Sequence, residues 1–267
     1  MEKQYALITG ASSGIGLEIA KSLARRNYQL VLTARDIEKL KNVAGQLSND
    51  YAVEVDCLSV DLKNPLAPQK LFDFCESKGY GIEIMINNAG YALPTPFDQT
   101  PMEQEEDFIR VLGIAVIALS KLFLIPMLQR GRGKIMIVSS VAAFAPPSSI
   151  QTLYGPIKTF MNRFAEGLNR NYRHQGVTTT ALCPGYTITN FHTASGVQDE
   201  MDRVPSFMKK EAKRVAEQGV RALLKGKEVC VPSKTFKIIV FLLRWLPKSV
   251  FSIVSSQLAP GRYDNQN

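Results

Sequence analysis

Short apolar or β-branched runs alternate along this chain with longer stretches in which apolar residues recur every three or four positions. The short runs predict strands at residues 5–9, 29–33, 52–57, 82–87, 134–139, 177–182 and 228–232. The periodic stretches predict helices near 14–26, 37–48, 66–78, 102–130, 151–174 and 206–224, several of them bounded by Gly or Pro. Strand and helix in regular alternation are the sequence form of repeated β-α units, with right-handed crossovers and parallel strands. The expectation is an α/β fold: one doubly wound parallel sheet of about seven strands with helices on both faces. No composition break, repeat or low-complexity tract marks a second domain.

Directly after the first strand comes Thr9-Gly10-Ala11-Ser12-Ser13-Gly14-Ile15-Gly16, followed by the amphipathic stretch Leu17 to Arg26. A strand, a glycine-rich turn and a helix start in that order let the backbone approach a pyrophosphate. They also aim free N–H groups and the positive helix end at it. Glycine turns join strands to helices without any ligand as well. Position behind the first strand is what favours a Rossmann-type dinucleotide site.

The spacing of Gly10, Gly14 and Gly16, G-x-x-x-G-x-G, resembles that of the short-chain dehydrogenase/reductase family, and three further landmarks follow in the family's order. Asn87-Asn88-Ala89-Gly90 closes the fourth strand, Tyr154 and Lys158 form Y-x-x-x-K, and Pro184-Gly185 ends the sixth strand. The resemblance spans roughly residues 5–232. It implies hydride transfer between a nicotinamide ring and a small-molecule carbonyl or alcohol, in a homodimer or homotetramer. It also implies a cofactor held by Gly10, Ser12, Ser13, Gly14, Ile15 and Gly16, by Asn88, Ala89 and Gly90, by Tyr154 and Lys158, and by Pro184, Gly185, Thr187 and Thr189. Thr189 would hold the carboxamide.

Dinucleotide folds that prefer NAD usually place a carboxylate at the end of the second strand, facing the ribose 2′-hydroxyl. Here Ala34 stands there and Arg35 follows, a fork of donors suited to a 2′-phosphate. NADP(H) is therefore the expected cofactor, with Ser12 and Ser13 able to add hydroxyl donors. The plainer alternative is that Arg35 solvates a strand end beside Asp36, which is well placed to cap the next helix. Asp61 resembles the family's adenine-contacting aspartate, and a turn-forming Asp is the alternative.

Reduction of a ketone requires a proton for its oxygen, and an unaided tyrosine is too weak an acid near neutral pH. Tyr154 and Lys158 are four apart on a predicted helix, so they share a face and an ammonium can favour the phenolate. Ser140 resembles the family serine that positions the substrate oxygen; Ser139 points to the other side of the strand. Two departures stand out. Gly155-Pro156 follows Tyr154 directly, so the helix must begin close to Tyr154. Leu112 occupies the place of the asparagine that, in the family, helps hold a relay water, and leucine neither donates nor accepts. A catalytically impaired NADP(H)-binding sensor or scaffold is the rival reading that Leu112 and the unusual Tyr154-Gly155-Pro156-Ile157-Lys158 segment motivate.

After Pro184-Gly185, residues 186–210 read as a flap over the site, where Met201, Phe207 and Met208 either line a substrate pocket or pack in the core. The catalytic body then covers residues 1–233, and a hydrophobic, basic extension of the same domain covers 234–267. Lys237, Arg244, Pro247 and Lys248 interrupt that extension before it reaches the ~20 apolar residues of a membrane span. Its readings are a peripheral membrane contact through 234–258, a pocket cover and a subunit contact. The 32 Lys and Arg against 24 Asp and Glu give a net charge of +8. A phosphorylated cofactor fits that surplus, and without basic runs interleaved with aromatics no nucleic-acid partner is expected. The four cysteines are dispersed, so no metal site is expected either. The start of the chain shows no basic leader or apolar signal core, and a cytoplasmic protein is expected, peripheral to the membrane if the extension binds there.

Overall fold

The computed structural model describes residues 3–146, 152–189 and 204–245, together with Phe191, Ser195, Gly196 and Asp202. Met201 and the second apolar run, residues 250–258, lie outside the described residues. In chain order the main elements are β1 (Tyr5–Thr9), α1 (Gly14–Ala24), β2 (Gln29–Ala34), α2 (Ile37–Tyr51), β3 (Val55–Ser59), α3 (Ala67–Ser77) and β4 (Ile82–Asn87). They continue with α4 (Met102–Ile109), α5 (Ala115–Gln129), β5 (Gly133–Val138), α6 (Tyr154–Tyr172) and β6 (Val177–Leu182). Last come β7 (Thr187–Ile188), β8 (Lys210–Glu211), α7 (Ala212–Leu224), β9 (Val229–Cys230) and α8 (Lys234–Trp245).

Seven parallel strands form one sheet in the order β3-β2-β1-β4-β5-β6-β9, a Rossmann-type doubly wound topology in a single domain. Because side chains alternate along a strand, each strand feeds two cores. Leu7, Met85, Ile135 and Ile137 pack against α3, α5 and α6. Ala6, Ile8, Ile86, Met136 and Leu182 pack against α1, α2 and α7. Full burial of each Leu or Ile contributes roughly 1.5–3 kcal/mol. The order reverses between β1 and β4, and it is at such a switch point, at the carboxyl ends of the strands, that ligands bind in this class of sheet.

Several boundaries differ from those the periodicity predicts. The third strand begins at Val55 rather than 52, because α2 runs on to Tyr51 and closes with Ala52 in the left-handed region, φ 54°. The helix expected from 206 starts at Ala212; Ser206–Met208 is a separate 3-10 turn behind Pro205. The predicted helix over 102–130 is a continuous Met102–Gln129 interrupted by one π turn, Arg110–Ile114, which contains Leu112. By length and composition that helix could cross a membrane, yet its Leu112, Leu119, Phe123 and Met127 pack against the sheet. Inside the expected flap, Thr187 and Ile188 pair with Lys210 and Glu211 in a short parallel ladder.

Candidate active site

The glycine turn is built by its neighbour strand. Thr9 closes β1 and its hydroxyl donates to the Ile86 carbonyl at 3.2 Å while accepting from the amides of Asn88 (2.9 Å) and Ala89 (3.0 Å). The Asn88 side chain donates to the carbonyls of Thr9 (2.9 Å) and Gly10 (3.1 Å), locking the N-N-A-G segment onto the turn. No larger residue fits there: a Cβ on Gly10, at φ 65°, would sit 2.9 Å from the Ala89 Cα. One on Gly16 would sit 2.4 Å from the Gly10 carbonyl oxygen. Ser13 caps α1 with extended backbone and its side chain makes no capping hydrogen bond, and no acidic residue stands in the first turn. The helix thus presents N–H groups beside a cradle of backbone, with Ser12, Ser13 and Ile15 half-buried around it. These residues fit a dinucleotide pyrophosphate.

At the end of β2, Ala34 is half-buried and Arg35 is exposed. Asp36 turns away from the strand end to accept the Lys39 amide at 3.0 Å, capping α2 as expected from its position. The Ser59 hydroxyl donates to the Arg35 carbonyl at 2.7 Å and so fixes the backbone that carries the guanidinium. Asp61 stands two residues after the end of β3, the strand paired with β2. One of its oxygens accepts the Lys63 amide at 3.0 Å, so its turn-forming role is present in the fold.

Tyr154 is the first residue of α6, and Pro156 falls in the first turn, where its missing N–H costs no helix bond. One turn on, Lys158 is buried. Its ammonium donates to the Val138 carbonyl at 3.0 Å, contacts the Met161 sulfur at 3.5 Å and lies 5.5 Å from the centroid of the Tyr154 ring. Burial lowers its pKa from 10.5 to about 8. Ser140 follows β5; its hydroxyl accepts the Ala142 amide at 3.1 Å and is 3.5 Å from the Pro184 carbonyl. Thr159 of α6 donates to the Ala143 carbonyl at 3.2 Å, which ties the start of α6 to the Ser140 turn. Ser139 is buried and donates to the Lys158 carbonyl at 2.9 Å, so it holds the helix rather than facing the site.

On the far side, the Pro184 carbonyl accepts the Val141 amide at 2.9 Å. The buried Thr187 donates to the Gly185 carbonyl at 2.9 Å. The Thr189 side chain reaches the glycine turn, 3.3 Å from where a Cβ on Gly14 would stand. Gly185 is pressed against Phe236 of α8, so that a Cβ would lie 2.2 Å from its ring. Met208 is buried in the same small cluster with Val204 and Phe236, whereas Phe207 is exposed. Leu112 is buried with its Cγ 3.7 Å from where a Cβ on Gly90 would be. Sequence reasoning passed over Thr9, Val138, Met161 and Phe236. Of these only Thr9 has a local signal, a hydroxyl as the last residue of a strand otherwise apolar.

The model of the short chain dehydrogenases matches residues 4–200. The chain belongs to the short-chain dehydrogenase/reductase family of oxidoreductases. It is 32% identical over 197 residues to a very-long-chain 3-oxoacyl-CoA reductase of Anas platyrhynchos, a match covering 72% of this chain and 62% of that protein. It is 29% identical over 234 residues to an uncharacterised oxidoreductase of Staphylococcus aureus, covering 88% and 96% of the two chains. Among solved structures, a short-chain dehydrogenase of Sphingobium yanoikuyae in complex with NADPH superposes with a TM-score of 0.79 at 27% identity, over 93% of this chain and 97% of that one. In the short-chain dehydrogenase/reductase described here, Gly10 to Gly16, Asn88 to Gly90, Ser140, Tyr154, Lys158 and Pro184 to Thr189 all gather at the carboxyl ends of the strands.

Proposed function

We propose that this protein reduces a hydrophobic ketone or aldehyde, or oxidises the corresponding alcohol, with NADP(H). Tyr154 serves as general acid and base, Lys158 favours its phenolate, and Ser140 positions the substrate oxygen. The observation that carries this reading is the buried Lys158 ammonium, one helical turn from Tyr154 and 5.5 Å from its ring. Bound NADPH would supply the hydride. The phenol gives its proton to the developing alkoxide, and an adjacent cation stabilises the phenolate left behind. Preference for the 2′-phosphate rests on Ala34 in place of a carboxylate and on the exposed Arg35. Gly10, Ser12, Ser13, Gly14, Ile15 and Gly16 would take the pyrophosphate. Asp61 would take the adenosine, and Asn88 to Gly90 and Pro184 to Thr189 the nicotinamide half.

This protein matches only 62% and 52% of the length of the first two relatives, so their name makes a 3-oxoacyl chain a substrate class to test and no more. Exposed Ile114, Ile117, Ile125 and Phe160 on the outer faces of α5, α6 and the π turn support assembly as a homodimer or homotetramer. The rival reading, a cofactor-binding protein with little turnover, is favoured by one observation, Leu112 buried against Gly90. Tyr154→Phe decides between them. Turnover of 3-oxoacyl and bulky ketone substrates should fall by at least about 10²-fold while NADPH affinity stays within a few fold. A wild-type protein that binds NADPH but reduces none of them supports the rival, and a variant retaining substantial activity removes Tyr154 from its role.

A further inference from the structure

The last described helix, α8, is apolar on both of its faces. Phe236 and Val240 are buried, and Ile239 packs against the small cluster of Val204, Met208 and Phe236. The opposite face carries Ile238 at 60%, Phe241 at 61% and Leu242 at 45% exposure, together with exposed Lys234 and Lys237. Positions 234, 238, 241 and 242 fall on one side of a helix by their 3.6-residue spacing, so this is a continuous stripe rather than scattered surface residues. An apolar stripe bordered by lysines is the arrangement of a helix that lies in a lipid interface, with ammonium groups reaching the headgroups.

A second observation lies beside it. The first turn of α8 forms one wall of an open groove of about 1060 Å³ whose other walls are the end of α1 and the outer face of α7. Seven basic side chains line it against two carboxylates, Glu211 and Glu217. Glu217 is already neutralised by Arg26, by Arg25 at 3.6 Å and by Arg221 at 3.0 Å. Lys210, Lys213, Arg214 and Lys234 leave the groove strongly positive. A second copy of the chain docking here by two-fold symmetry would bring two such grooves together, and like charges oppose that. Lysine is also depleted from the cores of subunit contacts. An anionic surface meets no such penalty.

We infer that the outer face of α8 and the adjoining basic groove form a docking surface for an anionic lipid membrane. Docking inserts Ile238, Phe241 and Leu242 among the upper acyl chains and sets the groove against the headgroups. The inner face of the same helix holds Gly185 through Phe236, so the surface stands directly behind the flap segment. A membrane-dissolved apolar substrate would then arrive at the flap without crossing water. The docking itself does not depend on the proposed chemistry.

The chain has one tryptophan, Trp245, in α8, which makes the test direct. Full-length protein is titrated with phosphatidylcholine vesicles containing about 30% phosphatidylglycerol, at ~0.05 M and ~0.5 M salt, with emission and co-sedimentation as readouts. Emission should shift to the blue and protein should sediment at low salt, and both should weaken at high salt. Ile238→Ser with Leu242→Ser should reduce partitioning roughly tenfold or more, from the apolar area withdrawn. Lys213→Glu with Arg214→Glu, on the exposed face of α7, should reduce it by more than about 25-fold, since each basic group near such a surface contributes roughly fivefold. Far-UV circular dichroism and a cooperative thermal transition check that both variants are folded. The inference fails if wild-type protein ignores anionic vesicles at low salt, or if either folded variant binds them as wild type does. It also fails if the serine variant changes the oligomeric state while the wild type stays off the vesicles, which would assign the face to a second copy.

Discussion

Replacing Lys158 by Met should stabilise this protein while ending its chemistry. The ammonium is fully enclosed, so no solvent screening softens its cost, and burial lowers its pKa from 10.5 to about 8. The unfolded chain keeps the proton up to about pH 10.5 and the folded chain releases it near 8. Between these values the unfolded state binds more protons, so stability rises with pH across that window. Below it both states are protonated and the whole cost of the buried charge is present. A depression of about 2.5 units corresponds to about 3 kcal/mol. Met keeps the unbranched stem but forfeits the hydrogen bond to the Val138 carbonyl, worth about 1 kcal/mol. The variant should therefore be about 2 kcal/mol more stable than wild type at pH 7. Toward pH 10.5 the advantage should vanish and reverse slightly, because wild-type Lys158 is then neutral when folded. Urea unfolding of both proteins without cofactor, at pH 7 and pH 10, measures this difference with the other titrating groups cancelled. A variant less stable at pH 7 by an amount that does not change at pH 10 would show that the ammonium is well solvated or well paired, and that the assigned cost is wrong.

Ala34→Asp with Arg35→Ile should shift the ratio of NADPH to NADH affinity toward NADH by about tenfold or more, since it adds a ribose acceptor and removes the phosphate fork; wild-type protein that binds both equally well would undo the argument. Leu112→Asn should cost roughly 1–3 kcal/mol of stability from burying an amide beside Gly90. If proton replenishment limits turnover, it should also shrink the excess of the steady-state solvent deuterium effect over the single-turnover one. Equal effects in both regimes, unchanged in the folded variant, would make this position packing alone.

The parts of the fold that were legible in the sequence are those coded locally. Seven strands and their helices follow from alternation and periodicity, and the start of α6 at Tyr154 follows from Pro156, which tolerates only a first turn. The glycine turn follows from position behind β1. The rest depends on partners far along the chain. Nothing in the N-D-Y-A-V run announces that Ala52 will end α2 in the left-handed region, a place where Gly or Asn is the usual sign. The π turn at Arg110–Ile114 is invisible because it keeps the apolar periodicity while inserting one residue into the hydrogen-bond ladder. The 234–245 segment reads as apolar and basic without saying which apolar residues turn inward, and only the fold separates the face that meets Gly185 from the face left open.

The rules a well-folded domain normally obeys are broken here in one place. A charge is buried at Lys158, helix geometry lapses around Leu112, and Gly10, Gly16 and Gly185 bring backbone or ring within distances that no side chain would permit. All of these lie at or against the carboxyl ends of β1, β4, β5 and β6, on and beside the β1–β4 point where the sheet order reverses. Packing alone would favour Met for Lys158 and an uninterrupted helix for the π turn, so stability does not account for either. What they share is their place, between the glycine turn behind β1 and the start of α6 that carries Tyr154 and Lys158. A sequence selected only to fold would have no need of these exceptions, and consistency across levels tends to fail where function requires it to.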